Sequence, residues 1–183
     1  MAQVWELWHT VWITTAALVP LALLVVAGMV RRRSRAGVSR ARAWRWSLAE
    51  GVMVLGTLPW LWMTLTPQQV PPGTTMVYLV PLSDLGSYFT RPLPWVIAQV
   101  GGNLLVFFAL GVGAPVRFAA LASPARLLLL GAACSLAIEV TQLLFVTNRV
   151  FSVDDVLVNA IGCLLGGLAT HPWWSRTAVP RPA

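Results

Sequence analysis

Charge is what this chain has least of. Only 10% of its 183 residues are charged, against 57% hydrophobic, and the mean hydropathy is +0.73. A globular domain carries about a quarter charged residues, so this scarcity excludes an ordinary soluble fold and predicts an integral membrane protein. Lysine is absent, so all thirteen basic residues are arginine; against six acids they leave a formal charge of +7. The arginines lie between apolar runs instead of lining one face of a soluble domain. That placement argues against nucleic acid as a partner and for orientation in a bilayer. The two histidines, His9 and His171, fall at opposite ends of the expected bundle, which argues against histidine-based metal hydrolysis. No metal or cofactor is expected. Cys134 and Cys163 lie inside apolar segments and read as small buried residues, not as a disulfide.

Five apolar runs remain, at about 9–30, 46–65, 95–116, 127–146 and 153–171. At 1.5 Å per residue, about 20 residues cross a bilayer. The first run is followed, not preceded, by its positive cluster, which marks a retained span and not a secretory signal. Arg31 to Arg45 holds seven arginines and no acid and reads as a cytoplasmic loop lying on anionic lipid. Eleven of the thirteen arginines fall in segments assigned to the inside, and only Arg91 and Arg149 fall outside. The expected fold is therefore all-α, a polytopic bundle of about five transmembrane helices with the N-terminus out and the C-terminus in. Glu50, one turn above Arg45 and Trp46, reads as an inner-rim pair. Residues 66–94 form a long proline-rich outer connection, a candidate binding loop whose MVYLVPL stretch is apolar enough to dip into the interface.

Half of the six acids lie between Gly131 and Thr170. Ser135, Glu139 and Gln142 recur at i, i+4, i+7, and Asp155, Asn159, Gly162 and Gly166 at i, i+4, i+7, i+11, so each helix has one polar or small-residue edge. A carboxylate at mid-bilayer costs about 2.5–3.5 kcal/mol on insertion scales and normally faces a bundle interior or a wet cavity. Counted from the outer helix ends, Asn103, Glu139, Gln142 and Asn159 share one level, roughly 6–13 Å deep. Arg149, Asp154 and Asp155 form a rim above them. Asn103, Ser135, Glu139, Gln142, Arg149, Asp154, Asp155 and Asn159 are thus the candidate ligand-binding residues of an outward-facing polar pocket. Two structural readings compete: hydrogen bonds that hold packed helices together, and Asp154 as an N-terminal cap.

Three blocks carry a resemblance: Asn103-x3-Phe107-x3-Gly111; Ser135-x2-Ile138-Glu139-x2-Gln142; and Arg149-x4-Asp154-Asp155-x3-Asn159-x2-Gly162-x3-Gly166. Together they resemble the VanZ-like family of bacterial membrane proteins, over about Val77 to Thr170. Tyr78 stands where that family usually has asparagine, Ala109 where proline is common, and Ser152 where an acid is frequent. The resemblance divides the chain into an N-terminal transmembrane pair with its basic loop (1–76), a VanZ-like domain (77–170) and a cytoplasmic tail (171–183). It implies a multi-pass protein of the bacterial cytoplasmic membrane associated with low-level resistance to teicoplanin, a lipoglycopeptide that acts outside the membrane.

Three function classes fit this inventory. A non-enzymatic protein would bind a lipid headgroup or a lipid-linked or glycopeptide ligand on its outer face. An intramembrane enzyme would modify lipid or cell wall with Glu139 or Asp155 as base. A proton-coupled transporter or flippase would use Glu139, although the small chain has no obvious inverted repeat. Binding demands the least chemistry of these residues.

Overall fold

The computed structural model describes residues 2–66, 76–146 and 150–175. Helix α1 (Ala2–Arg35) turns back into α2 (Arg40–Leu65), and a three-residue strand β1 (Met76–Tyr78) leads to a short helix α3 (Ser83–Ser87). A 3-10 turn (Tyr88–Thr90) precedes α4 (Leu93–Val106) and α5 (Phe108–Arg117); a second 3-10 turn (Ala119–Leu121), α6 (Pro124–Phe145), strand β2 (Val150–Ser152), α7 (Val153–Ala169) and the one-turn α8 (His171–Trp174) complete the order. Among the described residues four helical stretches are long and apolar enough to cross a bilayer: Trp8–Arg35, Arg40–Leu65, Leu93–Arg117 and Pro124–Phe145. The fold is an all-α membrane bundle.

The fifth expected span behaves differently. Helix α7 has 17 residues, about 26 Å at 1.5 Å per residue, slightly short of a 30 Å hydrocarbon core. It packs on α4, α5 and α6 at once. Gly162 and Gly166 make this possible, because a Cβ at either would sit 2.0 Å from the carbonyl oxygens of Leu104 and Phe108. Backbones approach closely where side chains are smallest, the usual way helices associate without a hydrophobic drive. Val106, Phe107 and Cys163 form the apolar core under this contact.

The basic stretch Arg31 to Arg45 is mostly helix, not loop. Helix α1 continues to Arg35, and the chain reverses over four residues in which Gly37 takes φ 84°. Gly37 N–H bonds the Ser34 carbonyl at 3.2 Å and Val38 N–H the Arg33 carbonyl at 3.0 Å, a Schellman ending that a residue without Cβ makes cheap. The tight turn lays Arg33 against α2. Its guanidinium donates to both Glu50 carboxylate oxygens at 2.7 Å and to the Ser47 hydroxyl at 2.6 Å. Arg117 of α5 also donates to Glu50 and stacks on Trp46, 5.0 Å from the ring centroid. Glu50 therefore ties three helices together through Arg33 and Arg117, where neighbouring position on α2 had pointed to Arg45.

The third apolar run breaks into α4 and α5 at Phe107, with φ −115° and ψ 9°. The break forms with Ala109 where the resemblance has proline, so no proline is needed there. A second unforeseen feature is a parallel pair of three-residue strands, with Met76 opposite Val150 and Tyr78 opposite Ser152. These residues lie more than seventy positions apart, and only the folded bundle brings them together. The pair ties the segment before α3 to the start of α7.

Candidate functional site

We call the end of the bundle that carries β1, β2 and α3 the outer end, following the arginine distribution. Asp154 is the centre of it and is 1% exposed. Its backbone N–H donates to the Ser152 hydroxyl at 3.2 Å, so Ser152 is the N-cap of α7. Its carboxylate is thereby left for another element. It accepts the Leu82 N–H at 2.5 Å, the Asp84 N–H at 3.0 Å and the Leu85 N–H at 2.9 Å. These amides open α3, where no helical carbonyl precedes them to take their protons. Leu82 itself sits at φ 66°, a left-handed conformation that costs a leucine about 1–2 kcal/mol. The bond from its own amide to a buried carboxylate offsets that strain. Asp154 is thus a pin that fastens the outer cap to the bundle; the capping role belongs to Ser152.

Asp155, the next residue, points to a different neighbour: its carboxylate accepts a hydrogen bond from the Asn103 amide of α4. Both residues are half-buried. Tyr88 closes the same corner. It is buried, its hydroxyl donates to Asp84 at 3.2 Å, and its ring meets Trp95 edge-on with centroids 5.0 Å apart. Burial, with Asp155, Asp84 and Asp154 nearby, pushes the Tyr88 phenol well above its usual range, so it is a neutral donor at physiological pH.

Below this corner the polar seam continues between α6 and α7. The Asn159 amide donates to the Ser135 hydroxyl at 2.8 Å, and both residues are buried. Asn159 Oδ1 has no hydrogen-bond partner among the described residues. Glu139 is 5% exposed, one turn above Ser135 on the buried face of α6. Gln142, a turn higher, reaches α2 instead, donating to the Thr64 carbonyl at 2.5 Å. Thr64 lies in the last turn of α2, whose carbonyls lack helical donors. The structure therefore brings Asn103 to Asp155 and Ser135 to Asn159, and ties Gln142 to α2 instead of to either pair. Arg149 lies outside the described residues. Among the described residues no three His, Cys, Asp or Glu side chains gather as metal ligands.

Beside the corner an open cleft of about 640 Å³ runs between the outer cap and α4, with Tyr88 and Arg91 in its lining. A family model for VanZ/LLP1 matches residues 52–174, about two thirds of the chain, a stretch that holds every candidate site residue above. The chain belongs to the VanZ/LLP1 family. No curated protein and no solved structure matches it. In this VanZ/LLP1 member, sequence reasoning missed Tyr88, Asp84 and the amides at 82–85. The spacing of Asp84 and Tyr88, four residues apart, was the one signal available. It was masked because residues 66–94 read as irregular, so helical spacing carried no meaning there.

Proposed function

We propose that this VanZ/LLP1 protein binds a cell-envelope ligand, a lipid headgroup or a lipid-linked precursor, at its outer end, and so lowers access of teicoplanin-type antibiotics to their target. The observation that carries the reading is the Asn103–Asp155 pair. It is half-buried and polar where α4 meets α7, close to the cap that Asp154 holds in place, and Tyr88, which lies near enough to Asp155 to feel its charge, lines the neighbouring ligand-sized cleft. The deeper residues Ser135, Glu139, Gln142 and Asn159 hold the helices that position it. Orientation follows the arginines: the N-terminus outside, the C-terminus inside the bacterial cytoplasmic membrane, with residues 31–45 on anionic lipid of the inner leaflet.

The test is expression in a teicoplanin-sensitive strain that the wild-type chain protects. Asp155→Asn and Asn103→Ala, at matched membrane levels, are expected to abolish protection. Wild-type protection from both variants overturns the reading. Mass spectrometry of envelope lipids from the same strains separates binding from catalysis: a new lipid species that disappears with Asp155→Asn would assign Asp155 as a base instead.

A further inference from the structure

The lining of the outer cleft is apolar with a single cation. Leu82, Leu85 and Phe89 supply one wall, and Leu93, Val96 and Val100 of α4 the other. From Leu93 to Val100 the cleft follows α4 for two turns, about 10 Å at 1.5 Å per residue. It is an elongated trough, and its volume of about 640 Å³ falls within the range of ligand sites. Phe89 is 94% exposed, so one wall stands open to the surroundings at the level of the outer interface.

Arg91 is the one charged residue in that lining. Its guanidinium faces Trp95, 5.6 Å from the ring centroid, and makes no ion pair among the described residues. The nearby acids have other partners: Asp154 three backbone amides, Asp155 the Asn103 amide, Asp84 the Tyr88 hydroxyl. An arginine stacked on an aromatic ring keeps its planar fork oriented and loses less freedom on binding an oxyanion. The start of α4 at Leu93, two residues on, adds the positive end of a helix dipole, which favours a doubly charged head over a singly charged one.

We propose that this cleft binds a lipid whose hydrocarbon chain lies along α4 and whose terminal phosphate pairs with Arg91. The inference deepens the outer-ligand reading by naming the ligand class, and it rests on that same end of the molecule. Apolar walls select the chain, and one guanidinium selects one anionic head. A single trough with a single cation accommodates one chain and one phosphate.

The experiment uses the full chain in nanodiscs of zwitterionic lipid, with dodecyl phosphate as the probe and native mass spectrometry as the readout. Dodecanol, dodecanoate and inorganic phosphate are the comparison ligands. Dodecyl phosphate is expected to bind at least about tenfold more tightly than any of the three. Arg91→Gln, at an exposed position, is expected to weaken it by about tenfold, and Arg45→Gln at the basic end to leave it unchanged. Gly86→Leu provides a second variant. Gly86 lines the cleft, and a Cβ there meets nothing within 4 Å, so a leucine adds apolar bulk at the cleft without a clash at its Cβ and is expected to weaken binding. Equal binding of dodecanol or dodecanoate overturns the assignment, as does wild-type affinity in both Arg91→Gln and Gly86→Leu. Loss of binding sensitivity alongside intact antibiotic protection sinks this inference alone. Loss of protection with the Arg91 dependence of binding intact sinks the resistance reading alone.

Discussion

Asp154 begins α7 but serves α3, and that division of labour is written in single atoms. With Ser152 taking the N-cap, three amide protons of the cap converge on one carboxylate. Asp154→Ala takes the protein partner from those three donors, and because the cap backbone is only part-buried water makes up some of the loss. The expected cost is roughly 1.5–3 kcal/mol, the range for hydrogen bonds to a charged group. Limited proteolysis should then cut within residues 76–90 while the helices stay protected. The Ser135–Asn159 bond is a smaller term, because helix–helix hydrogen bonds inside a membrane average about 0.6 kcal/mol. A double-mutant cycle of Ser135→Ala and Asn159→Ala in a steric-trap unfolding assay should return a coupling of that size. Coupling indistinguishable from zero would mean that the pair only fills space.

Among elements, α7 is the one on which α4, α5 and α6 are arranged, and its glycines set how near α4 and α5 come. Gly162→Ala is expected to destabilise the bundle by roughly 1–3 kcal/mol, because the added Cβ would overlap the Leu104 carbonyl oxygen and force α7 off α4. Gly28→Ala in α1, where nothing lies within 4 Å, is expected to be neutral or stabilising by up to about 1 kcal/mol. Thermal unfolding of the two variants in detergent measures the contrast. The cap has its own signature in pH. A phenol whose folded value is raised favours the folded state fully below its unfolded value of about 10, and that contribution is lost as pH climbs through the folded value. The cap of the wild-type chain should therefore loosen under strongly alkaline conditions, read by hydrogen exchange at 82–88. Tyr88→Phe should remove that part of the loss.

At the scale of the whole molecule the antiparallel packing of α1 on α2 and of α6 on α7 gives the alternation that crossing a membrane requires. Ser87→Cys on the cap and Ala36→Cys in the basic turn, in a chain lacking Cys134 and Cys163, test which end faces out. A membrane-impermeant maleimide added to intact cells should label the first and not the second. The reverse pattern would invert the topology and move the proposed site to the cytoplasm. Membrane character, the approximate places of the apolar helices, the clustering of arginine and the polar edges of α6 and α7 were legible in the chain; the helical basic stretch, the break at Phe107 and the shortness of the fifth expected span were not. Hydropathy, charge and helical spacing are local, additive properties, and a bilayer reads them segment by segment. Which polar group meets which was decided by tertiary structure alone. Asp154 and Asp155 are adjacent in sequence yet engage α3 and α4 respectively, and Glu50 finds Arg33 and Arg117 from helices on either side of its own. The strand pair from 76–78 to 150–152 and the cap beside it likewise exist only because the bundle holds those backbones within reach of each other. A hydrogen bond depends on a few tenths of an ångström and an angle, and neither is set until every helix has a place.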